Sequence, residues 1–504
     1  MSFEIVHRVG DQPFSYVILA IVLVIITIFS ASRNKTIKLD FPFFGHEEGS
    51  PEAPKNRWMR DALNLLREGH LKYPDKIFQI WTTEGNQLVL PPKYIDELKM
   101  KSDNIMPSAI IDFFQARHTT FTRPDRPGRL AHVIKHELNK NMPRLFPGVK
   151  DEINYSLPRE FPHDLKEWTP IKFYPMICRL VFRVSGRAFA GPTLHHNDDW
   201  MMLNINYTRD VFKAALEIRK YPDWARPFAK YFVTEIRSLW KHNVKAAGLL
   251  APIIKERNKA EKQPGYEKPN DTLEWVRDLL PEWEKKDYEY QAVTQLGIGA
   301  ASIHTTSQLL TNVVFDLSAH PEYMPELREE VEAVLMMNNG EWTIESMFQL
   351  KKMDSFIKES QRCSPTAISF QRKALQPVTL SDGTVIPKGA YLLAPSEAVS
   401  HDPNIYENPD EFDGWRFYKM RQDPEEENKH QLVSTANTQL HFGGGRHACP
   451  GRWFAGHEIK LILSALIKKY DMKTKDGEGR PKNILFQSQL SPNPNAEIMF
   501  KSRN

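Results

Sequence analysis

Residues 14–31, FSYVILAIVLVIITIFSA, run for eighteen positions without a charge. A helix of that length just reaches across the hydrocarbon core of a bilayer. The pattern predicts a single transmembrane helix, with residues 1–33 as a membrane anchor. A buried strand and a cleaved signal are the alternatives, the second because Ser30-Ala31-Ser32 offers small residues. Arg33, Lys35 and Lys38 follow at once, whereas the preceding end mixes Arg8 with Glu4 and Asp11. That bias places the body on the cytoplasmic side and a short N-terminus in the lumen. Residues 34–56 are polar, hold Pro42, Pro51 and Pro54, and read as a linker to a body of 57–504.

Within the body the dominant period is helical. Met353, Phe356, Ile357 and Ser360 share one face of 351–362, and Phe454, Ile459, Leu461, Ile462, Leu466 and Ile467 recur at helical spacing after residue 451. Residues 171–260 are mostly helical in pattern, and a further helical run, RLAHVIKHELNKNM, begins at Arg129. Two helical flanks, 287–296 and 308–320, enclose small residues at Gly297, Gly299, Ala300, Ala301 and Ser302. That stretch is a poor helix by propensity. Its lack of bulk suits either close helix packing or a large flat ligand. Strand patterns are few: a strand-turn-strand over 79–92, a hairpin over 378–395 turning at Asp382-Gly383, and ILFQSQL and AEIMF near the C-terminus. Residues 104–129, 261–271 and 423–435 read as irregular or exposed. The fold class is mainly α with small β-sheets, in one large domain.

The chain has 504 residues and a net charge of +4, with no long basic run, which argues against nucleic acid as a partner. Three cysteines, Cys178, Cys363 and Cys449, give no disulfide framework and suit a reducing compartment.

Chemistry concentrates at 442–451, FGGGRHACPG. One thiol, Cys449, follows a glycine bend and precedes Pro450, a residue suited to the first turn of a helix. Backbone N–H groups at a helix mouth would hold a thiolate against protonation. A lone cysteine can also be a small apolar filler. A zinc site from His441, His447, Cys449 and His457 matches no common spacing, and no Gly-Lys-Ser/Thr follows the glycines as a phosphate loop requires. Upstream, Glu359 and Arg362 stand three apart on a helix, close enough to pair.

In order along the chain these segments resemble the cytochrome P-450 superfamily of haem-thiolate monooxygenases, over most of the body. The family loop runs Phe, two residues, Gly, one residue, a basic residue, one residue, Cys, one residue, Gly. Phe442, Gly445, His447, Cys449 and Gly451 occupy those positions. The resemblance implies the P-450 fold and heme b (iron protoporphyrin IX), with Cys449 as the axial ligand of the iron. It implies a propionate partner in His447, where the family usually has Arg, or in Arg446 one place earlier. Glu359 and Arg362 match the family's buried E-x-x-R pair, completed by Arg416 as a structural cluster. Arg372, ten residues past Arg362, matches a position that often reaches a propionate. The W-x-x-x-R helix of the family is missing; His132 or Lys135 could substitute, or be solvated face residues. Residues Ala301-Ser302-Ile303-His304-Thr305-Thr306 stand where the family has Ala/Gly-Gly-x-Asp/Glu-Thr-Thr/Ser. Thr305 then takes the oxygen-side role, relaying protons, and His304 replaces the acid.

A similar Ile-His-Thr-Thr run occurs in a fungal branch that oxidises terpenoids and other secondary metabolites. The resemblance thus implies hydroxylation or multi-step oxidation of a hydrophobic metabolite, first a diterpene or other terpenoid and next a polyketide. It implies O2 and electrons from NADPH through NADPH-cytochrome P-450 reductase, docked near Arg446, Arg452 and Lys460. The expected location is the endoplasmic reticulum membrane, single-pass, with the catalytic domain cytoplasmic. Two other readings are a haem-thiolate isomerase or dehydratase needing no reductase, and a non-catalytic membrane haem binder.

Overall fold

A computed structural model describes residues 20, 23, 39–45, 53–121 and 129–503. The 14–31 segment read as an anchor falls almost wholly outside them. Among the described residues no helix is long and apolar enough to cross a membrane. The longer helices that build the site are α1 (Ala53–Lys72), α2 (Asn139–Glu160), α3 (Phe173–Phe189), α4 (Asp198–Arg219), α5 (Thr234–Ala260), α6 (Tyr288–Ala319), α7 (Lys351–Cys363) and α8 (Arg452–Lys469). Helix α1 begins at Ala53, inside the segment read as a linker.

Helix α6 is the axis of the molecule. Asp287 caps it by accepting the Tyr290 N–H, one of the donors a helix start leaves unpaired. It then runs unbroken through the small residues whose propensity argued against a helix. Burial on nearly every side supplies what propensity lacks: Leu310, Val313, Val314, Phe315 and Leu317 are fully buried in a core shared with α2, α3, α7 and α8. A second apolar cluster joins α4 and α5 to the other flank of α6 at Leu296, Ala300 and Ile303. Helix α2 continues the run predicted from Arg129 well past Met142, through Pro143, Pro147 and Pro158. Each internal proline removes a backbone bond; burial of Leu145, Phe146, Val149, Ile153 and Leu157 offsets that loss.

The sheets are small and peripheral. β1 (Phe78–Thr82) and β2 (Gly85–Val89) form the expected strand-turn-strand. They join a four-stranded sheet with β4 (Ser369–Lys373) and β7 (Tyr391–Ala394), in the order β1-β2-β7-β4. β3 (Thr169–Lys172) belongs to a three-stranded sheet with β8 (Tyr470–Lys473) and β11 (Glu497–Ser502). β5 (Val378–Thr379) and β6 (Val385–Ile386) flank the Asp382-Gly383 turn, and β9 (Asn483–Phe486) pairs with β10 (Gln489–Pro492).

One core carboxyl reports on pH. Glu458 of α8 is buried, accepts a hydrogen bond from Ser185 Oγ of α3 at 2.7 Å, and leaves its other oxygen without a partner. Burial pushes it from 4.5 up to about 8. Between those values the folded chain holds a proton that the unfolded chain has released, so stability falls as pH rises through that window. Glu458→Gln is expected to flatten the slope. Melting curves at about pH 5 and about pH 9 should show a smaller loss of Tm in the variant than in the parent; equal losses would contradict the assignment.

Candidate active site

The cysteine loop takes its shape from two glycines. Gly443 and Gly445 have φ of 71° and 61°, the left-handed region that disfavours other residues. A side chain at Gly445 would also strike the Lys99 carbonyl, which accepts the Arg446 N–H at 3.0 Å. The Cys449 N–H donates to Phe442 O at 2.7 Å and closes the loop. Helix α8 starts at Arg452 with Gly451 as its cap, so Pro450 precedes the cap instead of opening the first turn. The sulfur still meets the helix mouth. Burial raises the Cys449 thiol, while N–H groups of Gly451 and Arg452 and the Arg452 charge pull the other way. Those donors favour the thiolate once a cation is present to hold it.

Glu359, Arg362 and Arg416 meet as the spacing implied. Arg362 grips Glu359 through two parallel bonds, Nε to Oε2 at 2.8 Å and Nη2 to Oε1 at 2.7 Å. Arg416 Nε lies 3.1 Å and 3.2 Å from the same two oxygens. Both pair members on α7 are fully buried. The remaining guanidinium donors reach backbone carbonyls of Ser400, Pro409 and Glu411 from Arg362, and of Glu407, Asn408 and Glu411 from Arg416. The cluster therefore nails the 400–416 segment to α7, on the path to the cysteine loop.

Arg372 is 4% exposed, yet among the described residues no carboxylate pairs with it. Its Nη1 donates to Gln371 O at 2.9 Å, and its guanidinium lies 4.2 Å from the centre of the Phe370 ring. Phe370 holds φ of 51°, at a bulge between Ser369 and Arg372 that turns this pair out of regular β4 geometry. Desolvation lowers Arg372 to about 10. A buried cation without an acid partner is costly unless an anion arrives. His447 is close enough for the Arg372 charge to act on it. Burial, then Arg372, keep His447 below its ordinary value although its Nε2 stands 2.8 Å from Asp103. Arg446 is exposed. His132 and Lys135 are exposed too, as solvated face residues would be.

On α6, from Gln291 to Ser318, only Ala301 and Thr305 are exposed, one turn apart. An opening therefore lies against the middle of an otherwise buried helix. The Thr305 hydroxyl donates to Ala301 O at 2.7 Å, so what it offers the opening is an acceptor oxygen. The glycines serve a different purpose. A side chain at Gly299 would strike Asn204 of α4, so this position is small for helix packing, not for a ligand. His304 bridges helices: Nε2 lies 3.0 Å from Ile205 O of α4, and Nδ1 lies 2.9 Å from Tyr174 Oη of α3. Burial lowers it, so the ring is neutral, donating from Nε2 and accepting from Tyr174. Neither nitrogen is bonded to Thr305.

Lys460, expected on a basic docking face, is buried. It pairs with Asp354 at 2.6 Å and donates to Met347 O, because α8 is enclosed on the face that carries it. Tyr174, Asp103 and Lys99 had no signal in the sequence. Each lies more than a hundred residues from the group it meets.

The site suits a flat, doubly anionic macrocycle bearing a thiophilic metal. An acid-free buried guanidinium stands ready for a carboxylate, N–H groups converge on a sulfur, and the central helix is open at small residues. Cys449, with Arg372 and His447, would hold it. The Cytochrome P450 family profile matches residues 113–500. The chain is 36% identical over 469 residues to cytochrome P450 monooxygenase BOA4 of Botryotinia fuckeliana, covering 92% of this chain and 94% of that protein. It is 32% identical to cytochrome P450 monooxygenase braC of Annulohypoxylon truncatum, over 96% of each. A solved structure titled retinoic acid bound cyanobacterial CYP120A1 matches with TM-score 0.67 at 18% identity, over 92% of this chain and 99% of that one, a likeness of fold. The chain belongs to the cytochrome P450 family, and the enzyme is a haem-thiolate monooxygenase.

Proposed function

We propose that this enzyme inserts one oxygen atom from O2 into a C–H bond of an apolar secondary metabolite, with a terpenoid as the first candidate, and that Cys449 would be the thiolate that holds its haem. The opening at Ala301 and Thr305, in the middle of a buried helix, carries this reading. Bound haem supplies the oxygen activation. Thr305 accepts a hydrogen bond from water in the opening and so holds a proton donor beside the reacting centre. His304 acts at one remove, fixing α6 against α3 and α4. An apolar substrate is supported by the segment before residue 122, where Phe114 and Phe121 (ring centres 4.7 Å apart) pack on the core cluster that contains Ala300 and Ile303. Electrons come from an NADPH-dependent reductase docking beside Arg446 and Arg452. The 14–31 segment anchors the enzyme in the endoplasmic reticulum membrane, with the body cytoplasmic.

The test is co-expression with such a reductase, feeding of terpenoids, and mass analysis of products. The expected product gains one oxygen and requires NADPH. Conversion without NADPH would point instead to an isomerase or dehydratase. Thr305→Ala is expected to lower product formed per NADPH consumed by roughly tenfold to a hundredfold. Unchanged coupling would remove Thr305 from proton delivery.

A further inference from the structure

Away from the haem site, three side chains converge where α2 meets the turn between α3 and α4. His195 Nε2 lies 2.9 Å from Glu152 Oε2, and His196 Nε2 lies 2.9 Å and 3.0 Å from Glu152 Oε1 and Oε2. One ligand atom from each falls within 4.8 Å of the others. Glu152 and His195 are each 4% exposed, whereas the His196 side chain is 38% exposed and leaves a route from solvent. Among the described residues no lysine or arginine pairs with Glu152. Arg179 and Arg183 of α3 pair instead with Glu160. Ser156 Oγ also donates to Glu152. Burial pushes this carboxyl up, but the bonds from His195, Ser156 and His196 outweigh it and keep it ionised.

The surroundings hold the three groups in place. His195 packs on Gly186 of α3, where an added Cβ would come within 3.2 Å of His195 Cβ. The His196 ring stacks on Tyr155 of α2 at 4.6 Å and 20°. Asn197, the next residue, caps α4 by accepting the Trp200 N–H at 2.8 Å, so the turn is fixed on both sides. With each ring carrying its proton on Nδ1, two imidazole lone pairs and a carboxylate would face one point. Donors around tetrahedral zinc stand about 3.3 Å apart, so the two nitrogen–oxygen spacings need to open by only a few tenths of an ångström, within a cluster no wider than 4.8 Å. Two imidazoles with one carboxylate select a borderline cation over magnesium or calcium.

We propose that Glu152, His195 and His196 form a zinc site that ties α2 to the start of α4, with solvent at the fourth position. The site is independent of the haem reading. The test uses the full chain loaded with haem and stripped of other metals by a chelator. Titration with Zn2+ is followed by calorimetry, and Co2+ is used as a visible stand-in. One Zn2+ per chain should bind, with Co2+ giving tetrahedral ligand-field bands. His196→Ala, at a partly exposed ring, should weaken binding by about a hundredfold or more and abolish those bands. Glu152→Gln should do the same. Changing both His132 and His136, an exposed pair with ring centres 4.5 Å apart, to Ala should leave them intact. Absence of stoichiometric binding, binding unchanged in His196→Ala, or loss that follows the His132/His136 variant would each overturn the proposal.

Discussion

Glu359→Ala is expected to destabilise the folded chain by about 3–5 kcal/mol, enough to leave a marginal domain unable to retain haem at growth temperature. The magnitude follows from what remains behind. Glu359 is the only carboxylate that pairs with fully buried Arg362 and half-buried Arg416 among the described residues. Its removal strands two guanidinium charges, one of them wholly out of water. It also deprives the Asp413 N–H of its acceptor at 3.1 Å. The five backbone carbonyls gripped by the two arginines, with Glu411 O shared between them, would lose their anchor, and with them the 400–416 segment leading to the cysteine loop. Glu359→Gln keeps the shape and one acceptor, so it should lose less. Denaturant unfolding of the three proteins checks the order: parent above Gln, Gln above Ala. A change under about 1 kcal/mol in the alanine variant would mean that the cluster behaves as a solvated surface pair.

Much of this site was legible because its chemistry is local. Cys449 and its glycines lie within ten residues, and the positive φ of Gly443 and Gly445 follows from the bend they make. Glu359 and Arg362 lie on one helical turn. Arg416 entered through its order along the chain. What could not be read depends on groups that meet only after folding. Asp103 approaches His447, and Lys99 offers its carbonyl under Gly445, across more than three hundred residues. Tyr174 reaches His304 between helices. Small residues on α6 were ambiguous for a physical reason: close helix packing and ligand access ask for the same composition. The structure divides them, giving Gly299 to Asn204 and Ala301 with Thr305 to the opening. Lys460 looked like a surface charge because a lysine on an amphipathic helix usually is one; Asp354, a hundred residues upstream, draws it inward. Helix α2 passes three prolines because its apolar face is buried along its whole length, which outweighs local propensity.

Of the three cysteines, only Cys449 is placed to hold the iron. Cys178 is buried in α3 and pushed up to about 11, and Cys363 abuts the Glu359–Arg362 pair, with its sulfur 3.2 Å from Arg362 Nη2. Neither sits at a helix mouth. Cys449→Ala is therefore expected to lose thiolate ligation and all monooxygenase turnover, since the oxygen chemistry that haem would supply here depends on a thiolate ligand. The direct measurement is the reduced carbon monoxide spectrum of the haem-loaded protein, taken for the parent and for each single cysteine-to-alanine variant. A thiolate signature in the parent, kept in Cys178→Ala and Cys363→Ala and absent in Cys449→Ala, is the predicted result. An imidazole signature in the parent, or a thiolate signature that survives in Cys449→Ala, would contradict it.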